Sequence, residues 1–381
     1  MPLLWSMFLH SPSWGKEAPP PIPTREEIQT IVRETVAEST GPKITEEGLQ
    51  LVSSHLWKVM LAGLFQAWYQ WSDDAPNTTY GMTNPNAHHM FRLRRTELKL
   101  TGSFRDKLSF TVMIDPTKSL FQNQTLTDSA GNTVVAAQPR ADGSILQDLV
   151  LTFRYIPYHD VAIGQMKMPT SLEGFGSSAK LAFAERAIVT RQIGERRDLG
   201  LVVTGKPIPQ LHYELGIFNG EGPNAFDRGD FKDLVGRITI RPLKALHFAG
   251  WYHRGRIGDP ESPNYRYGAE ARATMGRFVL QGEYLRGSGG GCGTGMRCHG
   301  AYGFVSADVI KKERLGVQAL GRFEFFDPDR GVGNDIRYAS TLGVNLLLPD
   351  HHAKIQVNYT ETEFEGPGRN HAAFLAVQFA L

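Results

Sequence analysis

Long hydrophobic runs are missing. Nowhere in the 381 residues are there the roughly 18 consecutive apolar residues that a membrane-spanning helix needs. An excess of one charge is missing too. Lys plus Arg number 41 against 39 Asp plus Glu, a formal net charge of +2, whereas a nucleic-acid partner would call for a strong basic excess. Cysteine is nearly absent. The two present, Cys292 and Cys298, lie together in a glycine-rich stretch, which suits a local disulfide in an oxidising compartment or a free pair in a reducing one. Catalytic signatures are lacking: there is no G-x-S-x-G, no H-E-x-x-H and no dinucleotide fingerprint. Residues 200–207 (GLVVTGKP) begin like a phosphate-binding loop, but Pro207 stands where Ser or Thr would hold magnesium, and no helix pattern follows. Cys292, Cys298 and His299 fit no common zinc spacing. The expectation is a protein that is not an enzyme and takes neither cofactor nor metal.

Glycine is abundant at 40 residues and aromatics make up 10%, a composition suited to many strands and turns. Residues 1–54 read as an N-terminal segment. Within it, 3–9 (LLWSMFL) form a short apolar run with no Lys or Arg before it. This run reads as an atypical export signal, a misplaced start, or a segment with another purpose. A stiff proline-rich linker at 18–23 (APPPIP) follows. Residues 24–40 then carry a capping box, Thr24 with Glu27, and an apolar face of Ile28, Ile31, Val32 and Val36. That pattern predicts a short amphipathic helix, stopped by Gly41-Pro42.

From about residue 55 the period falls to two. Trp57, Val59, Leu61, Gly63, Phe65, Ala67, Tyr69 and Trp71 share one face, and the last segment aligns Ala373, Leu375, Val377, Phe379 and Leu381. Sixteen segments pass this test: 55–71, 91–102, 107–115, 147–156, 160–168, 197–205, 210–218, 233–241, 245–254, 266–274, 277–286, 299–308, 314–326, 336–347, 352–361 and 371–381. Their connections alternate between long ones and tight turns such as Phe104-Arg105-Asp106 and Met275-Gly276. A soluble Greek-key sandwich has no reason to keep that parity. In lipid, every backbone N–H and C=O must be paired within the protein, so a sheet must close on itself. The expected fold is all-β: a 16-stranded antiparallel transmembrane β-barrel over residues 55–381, preceded by a short N-terminal helix. Sixteen strands leave an aqueous lumen, and the layout is that of the bacterial outer membrane.

Residues 91–102 (FRLRRTELKLTG), 161–169 (VAIGQMKMP), 183–191 (FAERAIVTR), 195–201 (ERRDLGL) and 343–361 (GVNLLLPDHHAKIQVNYTE) resemble the phosphate-selective porin O and P family. The resemblance spans roughly residues 55–381. It implies a 16-stranded, usually trimeric, outer-membrane channel whose third long loop, here about 169–196, folds into the pore. Two departures stand out: the chain ends Phe379-Ala380-Leu381 rather than on an aromatic residue, and basic side chains do not form a dense ladder.

Strand parity turns Arg95, Lys99, Arg154, Lys167, Arg237, Arg241, Arg272, Arg277, Arg322, Arg337 and Lys354 inward. It does the same for Glu97, Asp148, Asp198, Glu214, Glu270, Glu283, Asp308 and Glu324. The signs nearly cancel. Segment 91–102 changes face partway, leaving the side taken by Arg92 and Arg94 open. The loop offers Lys180, Arg186, Arg191, Arg196 and Arg197 against Glu173, Glu185, Glu195 and Asp198, a mild positive excess in the place where the local field sets selectivity. For Glu185, Arg186, Arg191 and Arg197, anchoring of the loop is the favoured reading over solute contact. The expected function is passive diffusion of small hydrophilic solutes with weak anion preference and no committed phosphate site. The alternatives are a phosphate- or polyphosphate-selective channel and a loop-plugged barrel with an anchoring role. Expected partners are outer-membrane lipid, hydrophilic solutes or anions, and, from the resemblance, two further copies in a homotrimer.

Overall fold

A computed structural model of the protein describes residues 24–26, 29–30, 42–45, 48–73, 88–119, 122–127, 133–138, 145–255, 264–289, 292, 296–312, 314–348, 352–366 and 368–381. Of the expected 24–40 helix, residues 25–26 and 29–30 are helical, and the rest lies outside the described residues.

A hairpin opens the sheet, β1 (Lys43–Thr45) and β2 (Gly48–Ser53). Sixteen barrel strands follow. The first five are β3 (Trp57–Ser72), β4 (His89–Phe104), β5 (Leu108–Ile114), β8 (Leu146–Ile156) and β9 (His159–Lys167). Between β5 and β8 a detached loop hairpin pairs β6 (Gln122–Thr127) with β7 (Thr133–Gln138). The circuit continues with β10 (Arg197–Ile208), β11 (Leu211–Phe218), β12 (Asp233–Ile240), β13 (Leu246–Gly255), β14 (Asn264–Met275) and β15 (Phe278–Ser288). It ends with β16 (Arg297–Lys312), β17 (Leu315–Asp327), β18 (Arg337–Leu347), β19 (Ala353–Phe364) and β20 (Arg369–Ala380). Each barrel strand pairs antiparallel with its chain neighbours, and β20 closes on β3 through Ala372↔Ser72 to Ala380↔Leu64. All sixteen expected segments are strands, with no end displaced by more than four residues. Tight turns mark one rim throughout. At the other rim the last connection, 365–368, is also short, because β19 and β20 run further than the alternation alone indicates.

Burial in this barrel is the reverse of that in a soluble protein. On β20, Leu375, Val377 and Phe379 are 44, 47 and 53% exposed, while Phe374, Ala376 and Gln378 between them are 4, 2 and 2% exposed. Gln66 and Gln70 on β3 and Gln356 on β19 are likewise buried inside. The apolar stripe faces outward, where hydrocarbon rather than water is the favourable neighbour. A soluble sandwich would pack those stripes together. Outward aromatics such as Tyr155, Tyr252 and Phe379 supply interfacial girdles.

The seam carries a second device. Leu381 exchanges two backbone bonds with Gly63 (2.9 and 3.0 Å), and below that point β2 takes over the same edge of β3, with Leu49↔Leu61 and Val52↔Val59. Residues 48–53, part of the N-terminal segment in the sequence reading, thus extend the sheet. They cover backbone groups that would otherwise form an open edge. Gly48 permits this approach: at φ +127° it avoids the Cβ that would lie 2.6 Å from Leu61 O.

Candidate functional site

The chain leaves β9 at Met168 and re-enters the wall at Arg197, and the loop between them folds into the lumen. Ser171, at φ 59°, caps a one-turn helix, Leu172–Phe175, its Oγ accepting from Gly174 N–H at 3.0 Å. Gly174 packs against the returning strand of the same loop. A Cβ there would sit 2.7 Å from Gly194 O, and Thr170 Oγ1 donates to that same carbonyl at 2.7 Å.

Wall side chains then satisfy the loop backbone. The Glu283 carboxylate on β15 accepts from Leu172 N–H (2.9 Å), Glu173 N–H (2.8 Å) and Tyr302 Oη–H (2.5 Å). Glu324 on β17 accepts from Ile188 N–H (2.5 Å), and Asn358 on β19 accepts from Ala184 N–H (2.8 Å). Asn345 and Gln356 both donate to Ala182 O (2.8 and 2.9 Å), Lys354 to Leu181 O (2.7 Å), and Gln378 to Ala179 O (3.0 Å). On the opposite flank Lys167 Nζ donates to Gly174 O (3.0 Å) and Gly176 O (2.7 Å). Beneath this network Phe183, Ala187, Ile188, Val189 and Ile193 pack on an apolar patch of the inner wall that includes Trp251, Leu285, Phe304 and Leu320. Arg322 spans both layers: its guanidinium lies 4.6 Å from the Phe183 ring centroid and donates to Glu185 O at 3.0 Å.

Arg186 does not reach the open lumen. It is 0% exposed, because Nε donates to Glu173 O (2.9 Å) and Nη1 faces Glu195 (3.2 Å). The guanidinium holds the loop together from within rather than facing the open lumen. Arg95 is also buried, donating to Gln66 Oε1 (2.7 Å) and Glu185 Oε1 (3.1 Å). Arg94 Nε joins the same carboxylate at 2.6 Å, and Arg92 and Arg191 are close enough to feel its charge. Burial works against the Glu185 charge, but Arg94 and Arg95 hold this carboxyl well below the usual range. Glu195, half-buried, is drawn down to about 2 by Arg186 and Lys167.

A β-bulge brings these guanidiniums together. The β3–β4 register slips between Gln66 and Ala67, pairing Gln66 with Arg95 and Ala67 with Leu93. Arg94 is the extra residue. Arg92, opposite the buried Trp68, and Arg95, opposite the buried Gln66, therefore both face the lumen. This resolves the change of face within 91–102.

On the side not covered by the loop, a cavity of about 440 Å³ is lined by Arg94, Arg95, Lys118, Arg196 and Arg197 together with Glu97, Asp115, Glu195, Asp198 and Glu221. Arg197 Nε bonds Asp148 Oδ1 at 2.8 Å. The remaining sequence candidates lie elsewhere along the barrel. Arg154 donates to Ser109 (2.8 Å) near the tight-turn rim. Arg237 forms a buried pair with Glu270, and Arg241, just past β12, faces His247 Nδ1 at 3.4 Å. Lys99 and Arg272 are exposed on inward-facing positions. Cys292 and Cys298 are joined by a disulfide, Cα–Cα 5.4 Å, closing a six-residue step beside β16. Residues the sequence did not single out as site members are the anchors: Glu283, Tyr302, Glu324, Asn345, Gln356, Asn358 and Gln378.

A closed 16-stranded barrel, apolar outside and polar within, with a charged loop folded across its lumen, defines a porin of the bacterial outer membrane. Residues 65–250 match the family model described as phosphate-selective porin O and P. No curated protein sequence matches the chain. Several solved structures share the fold. The outer membrane channel DcaP of Acinetobacter baumannii is 12% identical, with TM-score 0.59 over 86% of this chain and 99% of that one. An anion-selective porin from Comamonas acidovorans is 10% identical, with TM-score 0.53 over 85% and 100%. OmpT of Vibrio cholerae, in a trimer form, is 8% identical, with TM-score 0.55 over 86% and 100%.

Proposed function

We propose that this porin is a passive channel for small hydrophilic solutes, with weak anion preference, that works as a homotrimer in the outer-membrane bilayer. The observation carrying the anion preference is the local imbalance at the constriction: Arg92, Arg94, Arg95 and Arg191 gather around the carboxylate of Glu185, with Glu97, 3.9 Å from Arg95, and Glu195 at the edge of the group. Lys99, Arg154, Arg197, Arg237, Arg241 and Arg272 line the water-filled path at other heights. Three of the six, Arg154, Arg197 and Arg237, are offset by Asp160, Asp148 and Glu270, so the preference is small. Arg186 and Lys167 keep the loop in place and set the size limit. Likeness to a porin solved in trimer form supports the oligomer.

Single-channel recording in planar bilayers under a salt gradient tests this reading. Steady ohmic steps with a reversal potential displaced modestly toward that of the anion are expected. Silence would mean that the loop plugs the barrel. Block by micromolar phosphate would reveal a dedicated phosphate site and overturn the weak-preference reading.

A further inference from the structure

We propose that the outer face of β13–β16, at the long-loop rim, binds the phosphate groups of outer-leaflet lipid headgroups. Parity places the relevant side chains. On β13, Trp251 and His253 are buried inward, while Phe248, Tyr252 and Arg254 face out. On β15, Glu283 and Leu285 point inward, and Leu280, Tyr284 and Arg286 point out. On β16, Cys298 and Tyr302 point inward, and Arg297, His299 and Val305 point out. These strand ends lie opposite the tight turns and so on the outer side of the membrane.

The register makes a row of the guanidiniums. Arg254 pairs with Tyr265, whose N–H donates to Ser288 Oγ at 3.1 Å, and Ser288 pairs with Arg297. Three strand spacings put Arg254 and Arg297 roughly 14 Å apart. Arg286, between Tyr267 and His299, sits one step nearer the hydrocarbon. Tyr252, Tyr267 and Tyr284 fill the same belt, the position at which amphipathic rings mark the edge of the hydrocarbon. The long Arg side chains extend from that edge toward the headgroups.

Among the described residues, Arg254, Arg286 and Arg297 form no ion pair. Of the described carboxylates nearby, Asp327 faces His299 at 3.4 Å, and Asp329 accepts from the N–H groups of Arg297 (3.5 Å) and Gly331 (3.1 Å). The rim at β19–β20 is built differently. There Arg369 lies between Glu361 (2.7 Å) and Glu363, and so is neutralised by protein. A row of planar guanidiniums with no ion pair among the described residues, above an aromatic belt, matches a lipid that carries more than one phosphate, which each fork can bind bidentately.

The test uses the full-length protein in phosphatidylcholine nanodiscs doped with lipid A bearing two phosphates, one, or none, with retained lipid counted by native mass spectrometry. The native protein should retain lipid in order of phosphate number. R254Q/R286Q/R297Q should weaken retention of the bisphosphorylated form by at least about tenfold, with single-channel conductance unchanged. R369Q should retain it fully, and millimolar inorganic phosphate should not displace it. Heat-modifiable gel migration checks folding, and if the triple variant misfolds, R254Q and R297Q alone should each weaken retention measurably. The proposal is overturned by native-like retention in these variants, by equal binding of the dephosphorylated lipid, or by loss of oligomer with lipid binding intact.

Discussion

From β15 to β20 the inner wall is covered by the folded loop, whereas from β4 to β10 it borders an open cavity ringed with charge. The two halves use similar residue types differently. On the covered half, Glu283 and Glu324 point at backbone N–H groups of the loop, and Asn345, Gln356 and Gln378 point at its carbonyls. Their polarity is spent on positioning. On the open half, Arg94, Arg95 and Arg197 pair with Glu185, Glu97 and Asp148 at the edge of the cavity, and Arg92 and Arg191 add charge beside them. The rigidity of one half holds the narrow gap at a fixed width for the other.

Removing the anchors should produce the largest effect. E283A/E324A leaves three loop N–H groups without their charged acceptors and should cost roughly 2–5 kcal/mol. The expected readout is larger and noisier conductance steps, together with a lower temperature for loss of the folded gel band. I193A cuts the apolar layer below the same loop. A deleted buried isoleucine typically costs about 2–5 kcal/mol, and because this layer borders a lumen that can admit water, the loss should fall near the lower end of that range in chemical unfolding. On the open half, R92A/R191A should leave stability nearly intact. It should move the reversal potential toward cations, changing the anion-to-cation permeability ratio about twofold, as suits charges partly screened by salt. No movement would assign these guanidiniums to holding the loop.

The smallest effect concerns pH. Glu185 and Glu195 both have depressed pKa values, Glu195 near 2. Stability from such groups is present above the ordinary carboxylate value of about 4.3 and is lost only as pH falls through the depressed one. Both carboxylates should therefore remain charged between pH 7 and pH 4, and the reversal potential should stay flat across that window. A marked rise in anion preference near pH 5 would show that Glu185 is not held by Arg94 and Arg95.

The fold was legible because the bilayer imposes one rule on every strand. Alternation on β8, β13 or β20 is set by hydrocarbon on one side and polarity on the other, so each strand reports itself without reference to its partners. The loop obeys no such local rule. Phe183, Ile188 and Ile193 look like any apolar loop residues until Trp251, Leu285 and Phe304 come round the barrel to meet them. Glu283 reads as one inward carboxylate among many, because what singles it out is a pair of N–H groups more than a hundred positions earlier in the chain. Arg92 was intermediate in legibility. Phe91 and Leu93 face out at odd positions and Leu98 at an even one, so a slip between them is readable, but its placement at Arg94 depends on the β3 register.

That slip makes the selectivity of the channel depend on chain length at a single point. Deleting residue 94 would let Leu93 and Arg95 follow one another on β4 with their pairings to Ala67 and Gln66 unchanged, so Phe91 and Leu93 would stay outward and Arg92 and Arg95 inward. One codon lost there would therefore cost the constriction a guanidinium and its bond to Glu185 while leaving the wall standing, whereas one lost at a regularly paired position of β4 would turn the side chains beyond it to the other face.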